Sequence, residues 1–356
     1  MKKICFFIYD LSNSGGTERI TCITANGLAD KGYRVSIISI NKLENKYFTV
    51  NEKVNLASLS EKKKLSKMTI IKNLREYLIR EDIDVLITVD SILCVFSIPA
   101  VFFLKCKNIC WEHFNYKINL GIKFRDLGRI LAMRFCEKIV VLSKKDNTFW
   151  KSSLFYKNTQ KLEVIYNPST YPVTSKEYDP NSRIILSIGR LTYQKGFDRL
   201  LKAWQSIDCK NGWKLNIIGN GPEEETLKKL INDYNLSEYA EIIPPTSNVE
   251  EFYLKSSIFC LPSRFEGFVL VLLEAQAFGL PMVAFDCDCG PSEVLTANNG
   301  CLIEQNNIQE LSEGILSLMK DENLRITMSD NAKKNAQKFT VQTFISDWER
   351  ILEQLK

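Results

Sequence analysis

The chain has 356 residues, of which 45% are hydrophobic and 25% are charged, as is ordinary for a soluble globular protein. This length suits two domains better than one core. No apolar run is long enough to span a bilayer, because the longest, residues 92–104, is about a dozen residues and contains Pro99. The sequence therefore predicts a buried segment there and argues against a membrane-spanning protein.

The amino terminus begins with two lysines and a short apolar run that stops at Asp10. Because the run is followed by Gly15 and Gly16, it predicts a first buried strand rather than a secretion signal. The 11 cysteines are scattered and odd in number, which indicates reduced thiols in a cytoplasmic protein. Their spacings do not resemble those of zinc ligands, so no metal site is expected.

The net charge of +5 is unevenly distributed. Residues 1–168 hold 28 Lys and Arg against 16 Asp and Glu, whereas the remaining residues hold 19 against 26. Basic residues occur at Lys62–Lys64 and interleave with apolar residues over 123–138, which predicts a basic amphipathic helix. Two interpretations remain open: a solvated helix face, or peripheral contact with an anionic membrane or a lipid diphosphate. Nucleic acid is not expected as a partner, since no nucleic-acid motif accompanies the charge.

Short apolar runs alternate with helical patterns along the chain, which predicts an α/β protein with parallel, doubly wound sheets. The expected strands are 4–8, 35–40, 85–88, 108–111, 138–142 and 164–168, then 183–188, 214–218, 241–243, 258–261 and 282–285. We expect one α/β domain over 1–168, a linker over 169–181, and a second α/β domain over 182–335. The last segment, 336–356, is predicted to be a helix that packs back toward the first domain.

Two glutamates eight positions apart, Glu266 and Glu274, flank a predicted helix start near Phe268. The free N–H groups of Phe268, Val269 and Leu270 would form an anion site at the positive end of the helix dipole. Gly267 would allow close approach of a ligand to the backbone. The two carboxylates could accept hydrogen bonds from sugar hydroxyls, and the backbone amides could bind phosphates. The arrangement therefore suits a sugar nucleotide. The alternative is a plain turn followed by a buried helix.

Further candidates follow other predicted strands, where ligands of such sheets bind. Gly15 and Gly16 open a helix and are candidate contacts to phosphate or sugar. The pair Arg190 and Lys195 lies between glycines after the strand at 183–188 and suits a diphosphate. Gly219 begins another glycine-rich turn. His113, the only histidine, follows the strand at 108–111, and a structural role for it is as plausible as a functional one.

Together these motifs resemble the retaining glycosyltransferases of family 4, which have the GT-B fold of two Rossmann-like doubly wound domains facing a central cleft. The resemblance covers essentially the whole chain and rests on Ser187-Ile188-Gly189-Arg190-Leu191 with Lys195-Gly196, Ile218-Gly219-x-Gly221-Pro222-Glu223, Pro262-Ser263-x2-Glu266-Gly267-Phe268, and Glu274-Ala275-x-Ala277-x-Gly279-x-Pro281.

The resemblance implies that the domain over 1–168 binds the acceptor and that the domain over 182–335 binds the nucleotide sugar. It also implies a role for each matched residue. Arg190 and Lys195 would stabilise the diphosphate of the leaving nucleotide. Glu266 would contact the donor sugar, and Glu274 the ribose hydroxyls. His113 would contact the donor sugar or support its transition state. The reaction would proceed with retention, without a metal or other cofactor, and the leaving phosphate itself would take the acceptor proton.

The chain departs from many family members at Pro244-Pro245-Thr246, near the expected nucleotide base, and at Val269, where glycine is frequent. We expect a hexosyltransferase that moves a hexose or N-acetylhexosamine from a UDP-sugar to a lipid-diphosphate-linked saccharide at the inner face of the plasma membrane. Such reactions build O-antigen, lipopolysaccharide, capsule or exopolysaccharide in bacteria. The alternatives are an inactive nucleotide-sugar-binding module, or another GT-B enzyme such as an epimerase or phosphorylase.

Overall fold

The computed structural model describes residues 2–13, 15–42, 47–60, 65–119, 121–153 and 160–355. They divide into two compact units, one of Met1–Pro168 with Val341–Lys356 and one of Ser169–Thr340. The predicted linker at 169–181 thus lies within the second unit. The run Lys62–Lys64 lies outside the described residues.

The described part of the first unit contains a seven-stranded parallel sheet in the order β3-β2-β1-β4-β5-β6-β7. Its strands are β1 (Lys3–Ile8), β2 (Arg34–Ser39), β3 (Asn55–Ser58), β4 (Val85–Val89), β5 (Lys107–Trp111), β6 (Lys138–Val141) and β7 (Leu162–Val164). The connecting helices are α1 (Gly16–Asp30), α2 (Lys67–Arg80), α3 (Cys94–Val101), α4 (Lys123–Phe135) and α5 (Lys144–Lys151). The central strands are buried on both faces, which is why they read as continuous apolar runs.

The second unit contains a six-stranded parallel sheet in the order β10-β9-β8-β11-β12-β13. Its strands are β8 (Ile184–Ile188), β9 (Lys214–Ile218), β10 (Ala240–Ile243), β11 (Ile258–Leu261), β12 (Met282–Phe285) and β13 (Gly300–Ile303). Its helices are α6 (Phe197–Gln205), α7 (Glu224–Asp233), α8 (Val249–Lys255), α9 (Leu270–Ala277), α10 (Pro291–Val294), α11 (Ile308–Lys320) and α12 (Glu322–Ala336).

Each sheet reverses its winding direction once. In the first unit the reversal lies between β1 and β4, and in the second unit it lies between β8 and β11. The loops that leave adjacent strands at such a point diverge to opposite faces and open a crevice at the carboxyl ends of the strands. Ligand sites are therefore expected beyond the ends of these four strands.

The expected fold class of two Rossmann-like α/β domains is confirmed. Two strands, β3 and β13, were not predicted, because both are short and sit at or near a sheet edge with partly exposed side chains. The last strand of this half lies at Leu162–Val164, so the bounds expected for it, 164–168, are wrong. One more backbone hydrogen bond to β6 follows, from the N–H of Ile165 to the carbonyl of Val141 at 3.0 Å. Pro168 lacks the N–H that a continued ladder would need.

The last helix, α13 (Val341–Gln354), belongs to the first unit. Its apolar stripe of Phe344, Trp348 and Leu352 is buried. The ring of Trp348 packs edge-on against Trp111, the last residue of β5, with 4.9 Å between the ring centres. Gly27 of α1 leaves room for the side chain of Ile345, which a Cβ at that position would displace. The described helices include none with the length and apolarity needed to cross a membrane.

The basic helix α4 is oriented differently from either sequence interpretation. Arg125 and Arg129 are only 4% and 2% exposed, whereas Phe124 and Leu127 are 44% and 45% exposed. Arg125 pairs with Asp90 and Arg129 pairs with Glu112. These carboxylates allow the arginines to turn inward, because an unpaired buried charge is far more costly than a paired one. The helix therefore buries Arg125 and Arg129, and it exposes apolar side chains together with Lys123 and Arg134.

Candidate active site

Three loops meet beyond the carboxyl ends of β8, β9 and β11 in the second unit. The N–H of Leu191 donates to the carbonyl of Asn220 at 2.8 Å, and the N–H of Glu223 donates to the carbonyl of Leu191 at 3.0 Å. A Cβ at Gly219 would collide with the carbonyl oxygen of Gly189. The glycines noted in the sequence thus allow two loop backbones to touch, which is a packing role and not by itself a ligand contact.

Glu266 lies at the centre of these loops and is 5% exposed. Its Oε1 accepts a hydrogen bond from Ser263 Oγ at 2.7 Å and pairs with the ammonium of Lys195 at 2.6 Å. Gln194 Nε2 lies 3.4 Å from Oε2 and also donates to the carbonyl of Phe265 at 3.0 Å. The structure thus brings together two predicted site residues from different strands, and the carboxylate is held in one orientation.

A second ion pair, which the sequence did not reveal, clamps these loops. The guanidinium of Arg264 binds Asp198 through two hydrogen bonds of 2.8 and 2.6 Å and stacks on Tyr193 at 3.9 Å. Burial alone would raise the pKa of Asp198, but the hydrogen bonds and charge of Arg264 hold it below its usual value. The clamp therefore fixes the turn that carries Lys195 against the loop that carries Glu266.

Arg190 behaves differently from Lys195. Its side chain is exposed, and within the described part of the chain it forms no hydrogen bond or ion pair. A flexible guanidinium at the rim of the crevice remains available to an anionic ligand.

Helix α9 begins two residues later than expected. Val269 is the N-cap residue, and the N–H groups of Leu272 and Leu273 already bond to its carbonyl at 3.1 and 3.4 Å. The unpaired N–H groups of the first turn are therefore those of Leu270 and Val271. Phe268 and Val269 precede the helix, so the anion site predicted on Phe268, Val269 and Leu270 is shifted toward its last member.

Glu274 is the fifth residue of α9, just over one turn into the helix rather than two. It is 5% exposed, and its two oxygens accept hydrogen bonds from Thr170 Oγ1 and, at 2.8 Å, from the hydroxyl of Tyr253. Neither partner was foreseen, because Thr170 is 104 residues away and Tyr253 lies on the preceding helix, α8. The carboxylate is thus an anchored acceptor with two hydroxyl neighbours.

Among the described residues, no three His, Cys, Asp or Glu side chains are grouped so that they could hold a metal ion. The sequence Asp286-Cys287-Asp288 forms the loop that follows β12.

In the first unit, Gly15 is the N-cap of α1 and Gly16 is its first residue. A Cβ at Gly15 would collide with the carboxylate of Glu18, whose pKa is raised by burial. The predicted loop therefore lies at the carboxyl end of β1, beside the reversal point of the first sheet.

His113 follows β5 and packs on Trp111, with 4.4 Å between the ring centres. Burial lowers its pKa to about 4, so the imidazole is neutral near pH 7. Its Nε2 atom is buried without a hydrogen-bond partner in the described structure. A neutral buried imidazole with an unused nitrogen is suited to a hydrogen bond with a ligand.

Beside His113 lies a cluster of four charged side chains, the partly buried Asp90 and the buried Glu112, Arg125 and Arg129, which we call the ion cluster. Glu112 accepts hydrogen bonds from Ser91 Oγ at 2.6 Å and Arg129 Nε at 3.1 Å. Burial favours protonation of Glu112, but the two arginines outweigh it and hold its pKa below the usual value. The cluster therefore anchors the start of the loop that carries His113.

Arg129 extends this support along the loop. Its Nη2 donates to the carbonyls of Asn115 and Ile118, each at 2.9 Å, and its Nη1 donates to the carbonyl of Tyr116. One side chain of α4 thus holds three carbonyl groups of the four-residue segment 115–118, which follows His113 closely.

Residues 14–168 match the family model described as Glycosyltransferase Family 4, and residues 174–335 match Glycosyl transferases group 1. An uncharacterized glycosyltransferase of Haemophilus influenzae is 39% identical over 357 residues, covering 99% of this chain and 100% of that protein. The amylovoran biosynthesis glycosyltransferase AmsD of Erwinia amylovora is 30% identical, with 99% and 100% covered.

Two more distant proteins are also similar. A Campylobacter jejuni α-1,4-N-acetyl-D-galactosaminyltransferase, named for a GalNAc-containing diNAcBac-PP-undecaprenol substrate, is 26% identical over 100% of this chain and 99% of that protein. HepE of Anabaena, solved in complex with UDP-glucose, has a TM-score of 0.80 at 17% identity, covering 98% of this chain and 99% of HepE. The latter likeness concerns the fold alone. Given the full-length relatives at 30% identity and above, the chain belongs to the glycosyltransferases, and its two parallel α/β domains are those of the GT-B fold.

Proposed function

We propose that this glycosyltransferase moves a hexose or N-acetylhexosamine from a UDP-sugar to a lipid-diphosphate-linked saccharide, with retention at the anomeric carbon. The observation that carries the proposal is the meeting of Lys195, Glu266 and the start of α9 at the reversal point of the second sheet. A cation, a buried carboxylate and free backbone N–H groups are together the chemistry that a sugar nucleotide requires.

In this proposal the diphosphate binds Lys195, Arg190 and the N–H groups of Leu270 and Val271. Glu274 accepts hydrogen bonds from the ribose, and Thr170 and Tyr253 keep its carboxylate oriented. Glu266 accepts a hydrogen bond from the donor sugar. Since the diphosphate competes with Glu266 for Lys195, the ion pair of the free protein loosens when the donor binds.

The chemistry needs no acid–base pair of carboxylates. As the bond from the anomeric carbon to the diphosphate oxygen breaks, negative charge grows on the leaving phosphate, where the cations and helix N–H groups stabilise it. The acceptor hydroxyl attacks from the same face and passes its proton to that phosphate. Orientation of the two substrates and stabilisation of the leaving group then supply the rate enhancement, without a metal.

The names of relatives support the acceptor class. The Campylobacter relative is named for an undecaprenol-linked substrate, and the Erwinia relative for amylovoran biosynthesis. By analogy we propose a role in cell-surface polysaccharide assembly at the cytoplasmic face of the membrane. The solved complex of HepE with UDP-glucose supports a UDP-sugar as donor.

A surface of the first unit suits peripheral contact with an anionic membrane. Met68, Ile122, Phe124 and Leu127 are all exposed, and the ammonium of Lys67 lies 3.8 Å above the ring of Phe124. We call these four residues the apolar patch. Lysine beside exposed apolar side chains complements a lipid surface that is apolar within and anionic at its boundary. Arg125 and Arg129 of α4 do not take part, because they are buried.

The test is a donor screen with the purified protein in EDTA. UDP-, GDP- and ADP-sugars are each incubated with a farnesyl-diphosphate-linked N-acetylgalactosamine, and nucleotide release is recorded together with the anomeric configuration of the product. We expect UDP release that depends on the acceptor, with the α-configuration of the donor retained. Inversion would contradict the mechanism, and a requirement for a divalent cation would contradict the metal-free scheme.

The same screen separates the other candidate functions. A binding module would bind UDP without turnover, and an epimerase would change the donor without an acceptor. Absence of binding to any nucleotide would overturn the proposed function itself.

A further inference from the structure

Asp90 stands at the reversal point of the first sheet, directly after β4, in a conformation that is unusual for its residue type. Its φ is 80° and its ψ is 130°, a region that favours glycine. Residues held in such conformations concentrate at functional sites, where the surrounding structure over-determines them. The backbone conformation of Asp90 therefore marks this residue as a candidate functional residue.

The two oxygens of Asp90 differ. Oδ1 accepts hydrogen bonds from Nη1 of Arg125 at 2.7 Å and from the N–H of Ile92 at 3.1 Å. Oδ2 receives no hydrogen bond from any residue that the structure describes, although the side chain is partly exposed. Arg125 is itself held by the ring of Phe114, 4.1 Å away, and lies 3.6 Å from Glu112. The ion cluster thus fixes one oxygen and leaves the other available.

Two further polar groups without partners lie on the neighbouring loop. The N–H of Asp90 donates to the carbonyl of Trp111 at 2.8 Å, which places Asp90 beside the segment that begins at Glu112. In that segment His113 Nε2 and Asn115 Nδ2 are buried without hydrogen-bond partners in the described structure. Both side chains are nine-tenths or more buried. Buried polar atoms are nearly always satisfied, so these two are expected to meet groups that come from outside the chain.

The chemistry of the three groups selects a neutral polyol. A carboxylate repels phosphate but accepts a hydrogen bond from a hydroxyl. An amide N–H donates to a hydroxyl oxygen, and a neutral imidazole does either. Burial and the charge of Glu112 raise the pKa of Asp90 to about 6, so it is ionised and accepting above neutral pH. Asp90, His113 and Asn115 together offer one anion and no exposed cation. These three groups therefore suit a sugar ring and not a diphosphate.

We propose that Asp90 binds a hydroxyl of the acceptor saccharide, and that Arg125 is the positioning residue that orients its free oxygen. The inference rests on the proposed function, in which residues of the second unit hold the donor, so we assign the sugar at Asp90 to the acceptor. It also assigns His113 to the acceptor sugar, in place of the contact to the donor sugar that the family resemblance implies. Asp90 forms no covalent bond and takes no proton in the transfer; it holds the sugar that supplies the attacking hydroxyl.

The first test compares Asp90→Asn with Asp82→Asn. Asp82 is a matched control, since it also has a positive φ, of 53°, but lies before β4 at the opposite end of the strand, with a side chain that is 87% exposed. For each variant, UDP affinity is measured by calorimetry, and steady-state rates are measured with farnesyl-diphosphate-linked N-acetylgalactosamine. We expect Asp90→Asn to raise the KM for this acceptor roughly tenfold or more, with unchanged UDP affinity. Asp82→Asn should match the wild type.

A second variant, Asp90→Gly, separates a ligand contact from a structural role. Glycine adopts the observed backbone angles without strain, so the melting temperature should not fall in proportion to the lost carboxylate. The acceptor KM should rise at least as much as in Asp90→Asn.

The outcomes are distinct. Wild-type acceptor kinetics in Asp90→Asn would overturn the inference, and so would a loss of UDP affinity, which would show that Asp90 supports the fold or the donor. Rescue of the acceptor KM by glycine would mean that only backbone geometry matters. If the wild type binds no nucleotide at all, the proposed function fails instead, and that result is visible before any Asp90 variant is compared.

Discussion

The ammonium of Lys195 lies 2.6 Å from Oε1 of Glu266, so the cation expected to neutralise a diphosphate is already neutralised by the carboxylate expected to contact the sugar. The two residues are 71 positions apart in the chain. Both are largely buried, and a buried pair of this kind is weakly stabilising but costly to break from one side only. In the free protein Glu266 thus holds the ammonium of Lys195 next to the proposed diphosphate site.

This pairing makes Glu266→Gln informative. We expect roughly a hundredfold loss of turnover, because the amide is a poorer acceptor for the donor sugar. UDP affinity should be retained or raised, because Lys195 no longer has a competing carboxylate. Calorimetry with UDP and initial rates of transfer measure the two quantities.

The control for Glu266→Gln is Glu251→Gln, which breaks the exposed pair of Glu251 with Lys255 in the same unit. It should leave both quantities unchanged, as expected for a surface ion pair. A large loss of UDP affinity in Glu266→Gln would contradict the competition between the carboxylate and the diphosphate.

Gly219→Ala should damage the nucleotide site through the backbone. A Cβ there collides with the carbonyl of Gly189, and backbone cannot move aside as a flexible side chain does. We expect a destabilisation of about 1–3 kcal/mol in the free energy of unfolding and a weaker affinity for UDP. Urea unfolding and calorimetry provide the measurements. Unchanged UDP affinity would show that the loop beside Arg190 takes no part in binding.

Trp348→Ala should test how strongly α13 stabilises the first unit. Trp348 is fully buried and packs edge-on against Trp111, so its removal should cost about 3–5 kcal/mol. Glu353→Ala, on the exposed side of the same helix, is the control and should change the melting temperature little. A loss below about 1 kcal/mol for Trp348→Ala would mean that the helix is held elsewhere.

The buried imidazole of His113 predicts a dependence of stability on pH. Its pKa is about 4 in the folded protein and 6.5 when exposed, so the unfolded chain binds the proton more readily. Neutral His113 therefore leaves the free energy of unfolding undiminished above pH 6.5, and this stability is lost as the pH falls from 6.5 to 4. His113→Gln should therefore lose less stability than the wild type across this window. Unfolding free energies at several pH values measure the difference; parallel curves would contradict a neutral buried His113.

The apolar patch predicts binding to lipid vesicles. Phe124→Ser combined with Leu127→Ser should weaken binding to vesicles of phosphatidylcholine and phosphatidylglycerol by roughly tenfold, with little change in melting temperature, because both side chains are already exposed. Leu302→Ser with Ile326→Ser removes two exposed apolar side chains from the second unit and is the control. Equal vesicle binding by both double variants would argue against this patch.

Local signals in the sequence were sufficient for much of the architecture. Continuous apolar runs such as 258–261 and 282–285 predict buried parallel strands, since side chains on both faces are covered. Glycines at 189, 196, 219 and 221 predict turns at the strand ends, because close backbone approach is a local requirement. The same spacing placed Lys195, Glu266 and Glu274 at one edge of one sheet.

Only the tertiary structure decided which partners these residues have. Amphipathicity gave α4 a basic solvent face, yet Arg125 and Arg129 turn inward to Asp90 and Glu112. The partners of Glu274 lie 104 and 21 residues away along the chain. Burial of a charge is favourable only where a distant segment supplies its counter-charge or hydrogen bond, and no local pattern encodes that meeting. The sequence by itself therefore determined the elements and the edge at which the site lies, whereas the chain's long-range packing determined which charges are paired there and which oxygens remain free.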